Sequence, residues 1–244
     1  MYSQTSRTPN GLTNAAEWQT LGACGAPDPT WVHQHHDDFD RYAAADWTIT
    51  LVGTGTVTQT AYDGGAIILT TTTGAADAVQ LQRPVATRKL NPGKDTFFKF
   101  AGVLSDVVNS VFYAGLIATS TTPLTANDGV FIEKASGSGA LQLISKVGGV
   151  ATSANFPSSL VLANNVAFEI GIHVTATGDV EAFFNPTTGN NPIAAQNGAP
   201  RGAVAKLTAP TLTTALLNQS FGIVNSAAAA HTLTADFVTT LTHR

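Results

Sequence analysis

From Asp46 onward, apolar and polar positions alternate in short runs broken by Gly, Asn and Asp. Val166–Thr175 shows this best: Val166, Phe168, Ile170, Ile172 and Val174 fall on one face of an extended chain. Trp47–Val52 and Thr54–Thr60 alternate with Thr, Ala66–Thr72 carries Ile67-Ile68-Leu69, and Ala78–Arg83 stops at Pro84. Thr96–Val103 places Phe98 and Phe100 on one side and Phe97 on the other, whereas Val111–Thr119 is apolar on both, as a strand covered on two faces requires. Val130–Lys134, Leu141–Val147, Val180–Phe184, Gln219–Asn225 and Leu233–Leu241 complete the strands. Tyr62-Asp63-Gly64-Gly65, Asn91-Pro92-Gly93, Asn127-Asp128-Gly129, Gly148-Gly149 and Thr177-Gly178-Asp179 read as turns between them, and Asn185–Pro200 as a surface loop. The one helical expectation after Asp46 is Ala203–Leu217, which Pro210 would break. Strands recurring every ~8–12 residues without long helical patterns predict an all-β sandwich or barrel.

Residues 1–36 lack this periodicity. They hold Pro9, Pro27 and Pro29, a short run at Leu12–Leu21 with room for one or two helical turns, and the polar His33-Gln34-His35-His36. We read them as an extended N-terminal arm, wrapping its own domain or lying on a neighbour, that precedes a domain over residues 37–244. Trp18 and Trp31 are its candidate partner-binding residues, because disordered leaders are poor in aromatics.

Charge sharpens this picture. Only 11% of the residues are charged, against roughly a quarter in ordinary domains. So weakly charged a surface is expected to rest on something. The formal charge of −4 and the scattered Lys and Arg, with Arg88-Lys89 the only adjacent pair, argue against nucleic acid. No stretch approaches the ~18 apolar residues of a membrane span. Met1-Tyr2-Ser3-Gln4 opens neither a basic nor an apolar signal region, so synthesis in a host cytoplasm is expected. Cys24 is the single cysteine and cannot form an internal disulfide.

A series of short motifs runs through residues 37–244: Asp38-Phe39-Asp40-Arg41-Tyr42 before Trp47, Gly65-Ala66-Ile67-Ile68-Leu69-Thr70, Phe97-Phe98-Lys99-Phe100, Phe112-Tyr113-Ala114-Gly115-Leu116, Asn127-Asp128-Gly129-Val130-Phe131, Val180-Glu181-Ala182-Phe183-Phe184-Asn185 and Leu233-Thr234-Ala235-Asp236-Phe237-Val238. Their order resembles the concanavalin-like (laminin-G/lectin-type) antiparallel jelly-roll β-sandwich. The resemblance implies that the last strand pairs near the first. With the low charge, the Thr/Ala-rich composition and the leading arm, the chain also resembles virion proteins of tailed bacteriophages, most nearly a head decoration (cement) protein. That resemblance implies residence in the virion, the major capsid protein of the shell as partner, and a homo-oligomer, trimer or dimer.

The resemblance also raises glycoside hydrolysis, which needs two carboxyl groups flanking the sugar bond. The enzymes of this fold carry a Glu-x-Asp-x-(x)-Glu strand, and none of Glu17, Glu133, Glu169 and Glu181 stands in such a run. Asp179 and Glu181 share a strand face but follow a Gly turn. No catalytic residue is assigned, and the chain is expected not to be an enzyme. Asp37, Asp38 and Asp40, behind His33, His35 and His36, form the densest candidate metal cluster, with structural Ca²⁺ the ion that oxygen ligands suit. Turn capping by the same carboxylates is the competing reading. Asn127-Asp128-Gly129 and Asp63-Gly64-Gly65 would serve either as lectin-type ligand loops or as hairpin turns, and Trp47 is expected in the core. The sequence thus points to a non-enzymatic virion protein that binds and stabilises an assembled shell, with a carbohydrate-binding module or tail component touching a host glycan as the alternative.

Overall fold

The computed structural model describes residues 32–61, 64–186 and 203–243. Trp18, Cys24, Trp31, the Tyr62-Asp63 half of one turn and most of the Asn185–Pro200 loop lie outside the described residues.

Among the described residues, fifteen strands form in chain order: β1 (Val32–Asp37), β2 (Thr48–Val52), β3 (Thr56–Thr60), β4 (Ala66–Thr70), β5 (Ala78–Gln82), β6 (Thr96–Leu104), β7 (Ser110–Ala118), β8 (Gly129–Lys134), β9 (Leu141–Val147), β10 (Val150–Asn155), β11 (Ala167–Val174), β12 (Val180–Pro186), β13 (Ala205–Leu207), β14 (Leu217–Asn225) and β15 (Thr232–His243). They make two antiparallel sheets. The first runs β13-β12-β11-β6-β15-β4-β3, with β1 also on β15, and the second runs β10-β9-β8-β7-β14-β5-β2. The β9–β10 hairpin turns at Gly148-Gly149, whose φ values of 56° and 86° lie in the left-handed region that two-residue turns require.

Two expectations from the sequence change. Residues 32–36, assigned to the arm, form with Asp37 the strand β1, paired to β15 from Val32 opposite His243 to Asp37 opposite Val238. The helix over residues 203–217 does not form. Residues 205–207 pair with β12 instead, the next stretch is irregular, and β14 begins at Leu217. Thr208, Thr211, Thr213 and Thr214 are stiff at χ1 and Pro210 lacks an amide hydrogen, so extended backbone prevails.

β15 serves two neighbours on one edge: Thr232–Ala235 pairs with β4 and Val238–His243 with β1. A bulge at Asp236 separates the two halves and shifts the register against β6. It also changes which parity faces inward. Leu233 and Ala235 point into the core before it, Val238 and Thr240 after it, and all four are fully buried.

Between the sheets an aromatic chain crosses the core. Trp47 packs edge-on to Phe221 at 5.3 Å, Phe221 meets Phe100 at 5.2 Å, Phe100 meets Phe112 at 5.5 Å, and Phe112 meets Phe168 at 5.2 Å. Trp47 is 4% exposed, a core position as expected. β7 is covered on both faces, also as expected. Phe112, Ala114 and Leu116 face the core, while Tyr113 and Ile117 join Phe131, Ile144 and Ala126 in a second cluster outside the second sheet. The segment after β7 lies over that cluster through Leu124 and through Gln80, whose Oε1 accepts from the Tyr113 hydroxyl at 3.1 Å and from Leu124 N at 3.4 Å.

Lys134 has no exposed surface, and its ammonium donates to the carbonyls of Val107 and Ser110. Burial lowers its pKa to about 8, against the pull of Asp106. Unfolding restores the ordinary value of 10.5, so the unfolded chain binds more protons between those values and stability rises with pH across that window. Lys134→Met removes this rise and leaves two carbonyls without a donor, a loss of about 3 kcal/mol in urea unfolding at neutral pH. Phe221→Ala opens a void at the centre of the aromatic chain and is expected to cost about 3–5 kcal/mol by the same measurement.

Candidate functional site

At the end of the sandwich under β1, the space between the sheets is lined by polar groups. His33, His35 and Asp37 are the alternate residues of β1 on the face towards Trp47. They stand near Gln219 of β14 and the buried Thr240 and Thr242 of β15. There the sandwich opens into a cleft of about 280 Å³, walled by Gln34 and His35 of β1, the Arg83–Arg88 segment after β5, and Asn218 and Gln219 of β14.

Pro84 stops β5 from continuing, and the segment is then stitched along β14. Arg83 N donates to Gln219 O at 3.0 Å, Thr87 N to Leu217 O at 3.1 Å, and Arg88 and Leu217 exchange both backbone bonds at 2.9 and 2.7 Å. This brings two guanidiniums to the cleft. Arg83 lies over the Trp47 ring at 5.5 Å, a cation–π contact, and Arg88, itself buried, donates through Nη1 to His33 O at 3.1 Å. Burial lowers the Arg88 pKa, yet a guanidinium keeps its charge in such sites. Among the described residues, the ion pairs are made by Lys and His, and no carboxylate pairs with either arginine.

The amides beside them are oriented by what they donate. Asn218 Nδ2 bonds Arg83 O at 2.7 Å and Thr119 Oγ1 at 3.3 Å, while Gln219 Nε2 bonds Thr240 Oγ1 and reaches His35 O at 3.5 Å. Carbonyl acceptors require the NH₂ end, so the amide oxygens are fixed as well. Asn218 Oδ1, Gln219 Oε1 and His35 Nδ1 are buried and have no hydrogen-bond partner. Gln219 Oε1 stands within hydrogen-bond reach of the His35 ring, whereas Asn218, the next residue along β14, turns its side chain to the outer face of the second sheet. Burial, and then the charge of Arg83, push the His35 pKa down and favour the neutral ring.

The candidate metal cluster is dispersed into structural roles. Asp37 spends Oδ1 on Phe39 N at 3.0 Å and Oδ2 on the Trp47 indole N–H at 3.2 Å. Asp38 Oδ1 accepts from Asp40 N at 3.5 Å. They cap the turn that drives Phe39 into the core at φ 57°. Among the described residues no three His, Cys, Asp or Glu side chains gather as metal ligands. His36 is exposed and leans on Phe237. Asp128 is likewise structural, accepting from Thr213 Oγ1 at 2.6 Å and Gly148 N at 3.3 Å.

The glutamates do not converge. Glu169 pairs with Lys99 at 2.6 Å, Glu181 and Asp179 hold Lys206 at 3.2 and 2.7 Å, and Glu133 sits half-buried on the outer face of the second sheet, its pKa raised by burial. His173 is stacked on Phe97 at 4.3 Å with Asp95 and Glu181 at its two nitrogens, so both are occupied. The cleft was not visible in the sequence. In the sequence Arg88 stands out only as half of a basic pair, and nothing in the spacing joins residues 34, 83, 88 and 219.

Together the two sheets define a lectin-type, concanavalin-like jelly-roll sandwich. Solved structures with the same fold include a protein of unknown function from Shewanella oneidensis MR-1 (TM-score 0.58, 9% identity, 87% of each chain covered). Peanut lectin in complex with a nine-residue peptide matches at TM-score 0.56 and 10% identity over 86% of this chain and 97% of the lectin. An endo-1,3-beta-glucanase from Streptomyces sioyaensis matches at TM-score 0.56 and 11% identity over 88% of this chain and 98% of the enzyme. No family model and no curated protein matches the chain. One scaffold carrying a lectin and a hydrolase shows that the fold leaves function open.

Because the His35 pKa in the folded protein lies below its ordinary 6.5, the unfolded chain takes up the proton first as pH falls below 6.5, and stability declines with it. The melting temperature should therefore drop between pH 7 and pH 5 less steeply in His35→Gln than in the wild type.

Proposed function

We propose that this chain is a non-enzymatic structural protein of a virion, a decoration (cement) protein that seats on an assembled capsid shell and stabilises it. One observation carries the choice of a protein partner over a glycan. Among the described residues no Phe, Tyr or Trp side chain is exposed, and the large apolar residues that are exposed (Leu51, Val52, Val85, Val108, Val150, Val161, Val166 and Leu216) are all aliphatic. An exposed aromatic face is what stacks on the apolar C–H face of a sugar ring, whereas scattered aliphatics with unpaired arginines suit a protein surface. The carboxylates with bonded partners, bound to Lys, His, the Trp47 indole, Thr hydroxyls, the Asn109 amide or backbone N–H, offer no acid–base pair for hydrolysis. The low overall charge further supports repeated contact with a shell.

The mechanism is additive. Each copy bridges subunits of the shell, and its binding free energy exists only in the assembled state. Association of the copies into a dimer or trimer multiplies those contacts. A glycan-binding module is the second reading, favoured by the lectin among the proteins of like fold.

Quantitative mass spectrometry of nuclease-treated, density-purified particles tests the proposal. We expect recovery at a copy number comparable to the major shell protein. Recovery at a few copies per particle would move the protein to the tail, and absence from particles would overturn the virion reading.

A further inference from the structure

We propose that the cleft between β1, the Arg83–Arg88 segment and β14 is a receptor for one acidic residue of a protein partner, its carboxylate held by Arg83 and Arg88. This deepens the reading of the protein as one that docks on another protein.

The first support is charge. Two guanidiniums meet at a cleft with no carboxylate paired to either among the described residues, and Asp37, on the same face of β1 as His35, has both oxygens engaged by Phe39 N and Trp47 Nε1. A guanidinium binds a carboxylate through strong, directional hydrogen bonds. Arg88 is held ready by its bond to His33 O and Arg83 by the Trp47 ring, so little ordering remains to oppose binding.

The second support is the rim of the cleft. Pro84 and Val85, the latter 66% exposed, supply the apolar rim that a peptide backbone would cross.

The test is an NMR titration of the full chain with acetyl-Asp-N-methylamide, acetyl-Asn-N-methylamide, acetate, inorganic phosphate and glucuronate. Glu17 and Asp28 are the carboxylates of residues 1–31, so the Glu17→Gln/Asp28→Asn chain is titrated in parallel to reveal any occupancy in cis. We expect saturable shifts at Arg83, Arg88 and His35 with acetyl-Asp-N-methylamide, and binding about tenfold or more weaker with the Asn analogue. Arg83→Gln, at a half-exposed position, should lose a similar factor with an unchanged melting temperature, and acetate and phosphate should bind more weakly than the acidic peptide.

No saturation in either chain, or an unaffected Arg83→Gln, overturns the proposal. So does tighter binding of glucuronate or phosphate, the first of which would hand the cleft to an acidic sugar. Acidic-peptide binding by a protein absent from particles would sink the virion role and leave the cleft standing. Its failure in a protein abundant on particles would sink the cleft alone.

Discussion

The position on which both core and cleft depend is Trp47. One edge of its ring packs on Phe221 and so on the aromatic chain that joins the sheets. Its indole N–H holds Asp37, which closes the turn carrying Phe39 inward. Its face carries the Arg83 guanidinium, and His35 meets it edge-on at 6.5 Å. A single side chain therefore couples hydrophobic burial, a capped turn and the charged wall of the cleft. Aromatic rings offer large apolar area with a polar handle, and here each part is used.

Around that anchor, two regions depart from a simple apolar layer between two sheets. On the outer face of the second sheet, Leu124 and the segment after β7 cover Tyr113 and Phe131. Under β1, by contrast, the space between the sheets is lined with Thr, Gln, His and Arg. The fold keeps its architecture because the aromatic chain holds the centre, which leaves its ends free to vary.

How much of this is legible in the sequence follows from where each strand sits. β11 declares itself because one face is apolar and the other is not, and β7 because both faces are covered. β1 stays hidden because neither face of His33-Gln34-His35-His36 is apolar, and its pairing with the last strand is a long-range fact that local pattern cannot carry. The bulge at Asp236 is invisible for a related reason: it exchanges odd for even inward positions, so a strict period of two fails across it. β13 is lost because three residues are too few to show a period, and a run of Ala and Leu around them imitates a helix. The Asp37–Asp40 turn was legible in its capping alternative. The cleft was not, because its walls come from three distant segments and its signature is missing partners rather than present ones.

The position of β15 has a consequence for how the chain is made. It lies inside the first sheet, between β6 on one side and β4 and β1 on the other, yet of the described strands it leaves the ribosome last. Until residues 232–243 emerge, β6, β4 and β1 wait with unpaired edges, and β6 must be matched to a partner more than a hundred residues away. Pairing at such separation is slow because loop closure precedes any gain from contact. Synthesis thus acts as a timer: the nascent chain stays open along its central seam, and a single late segment closes it from end to end.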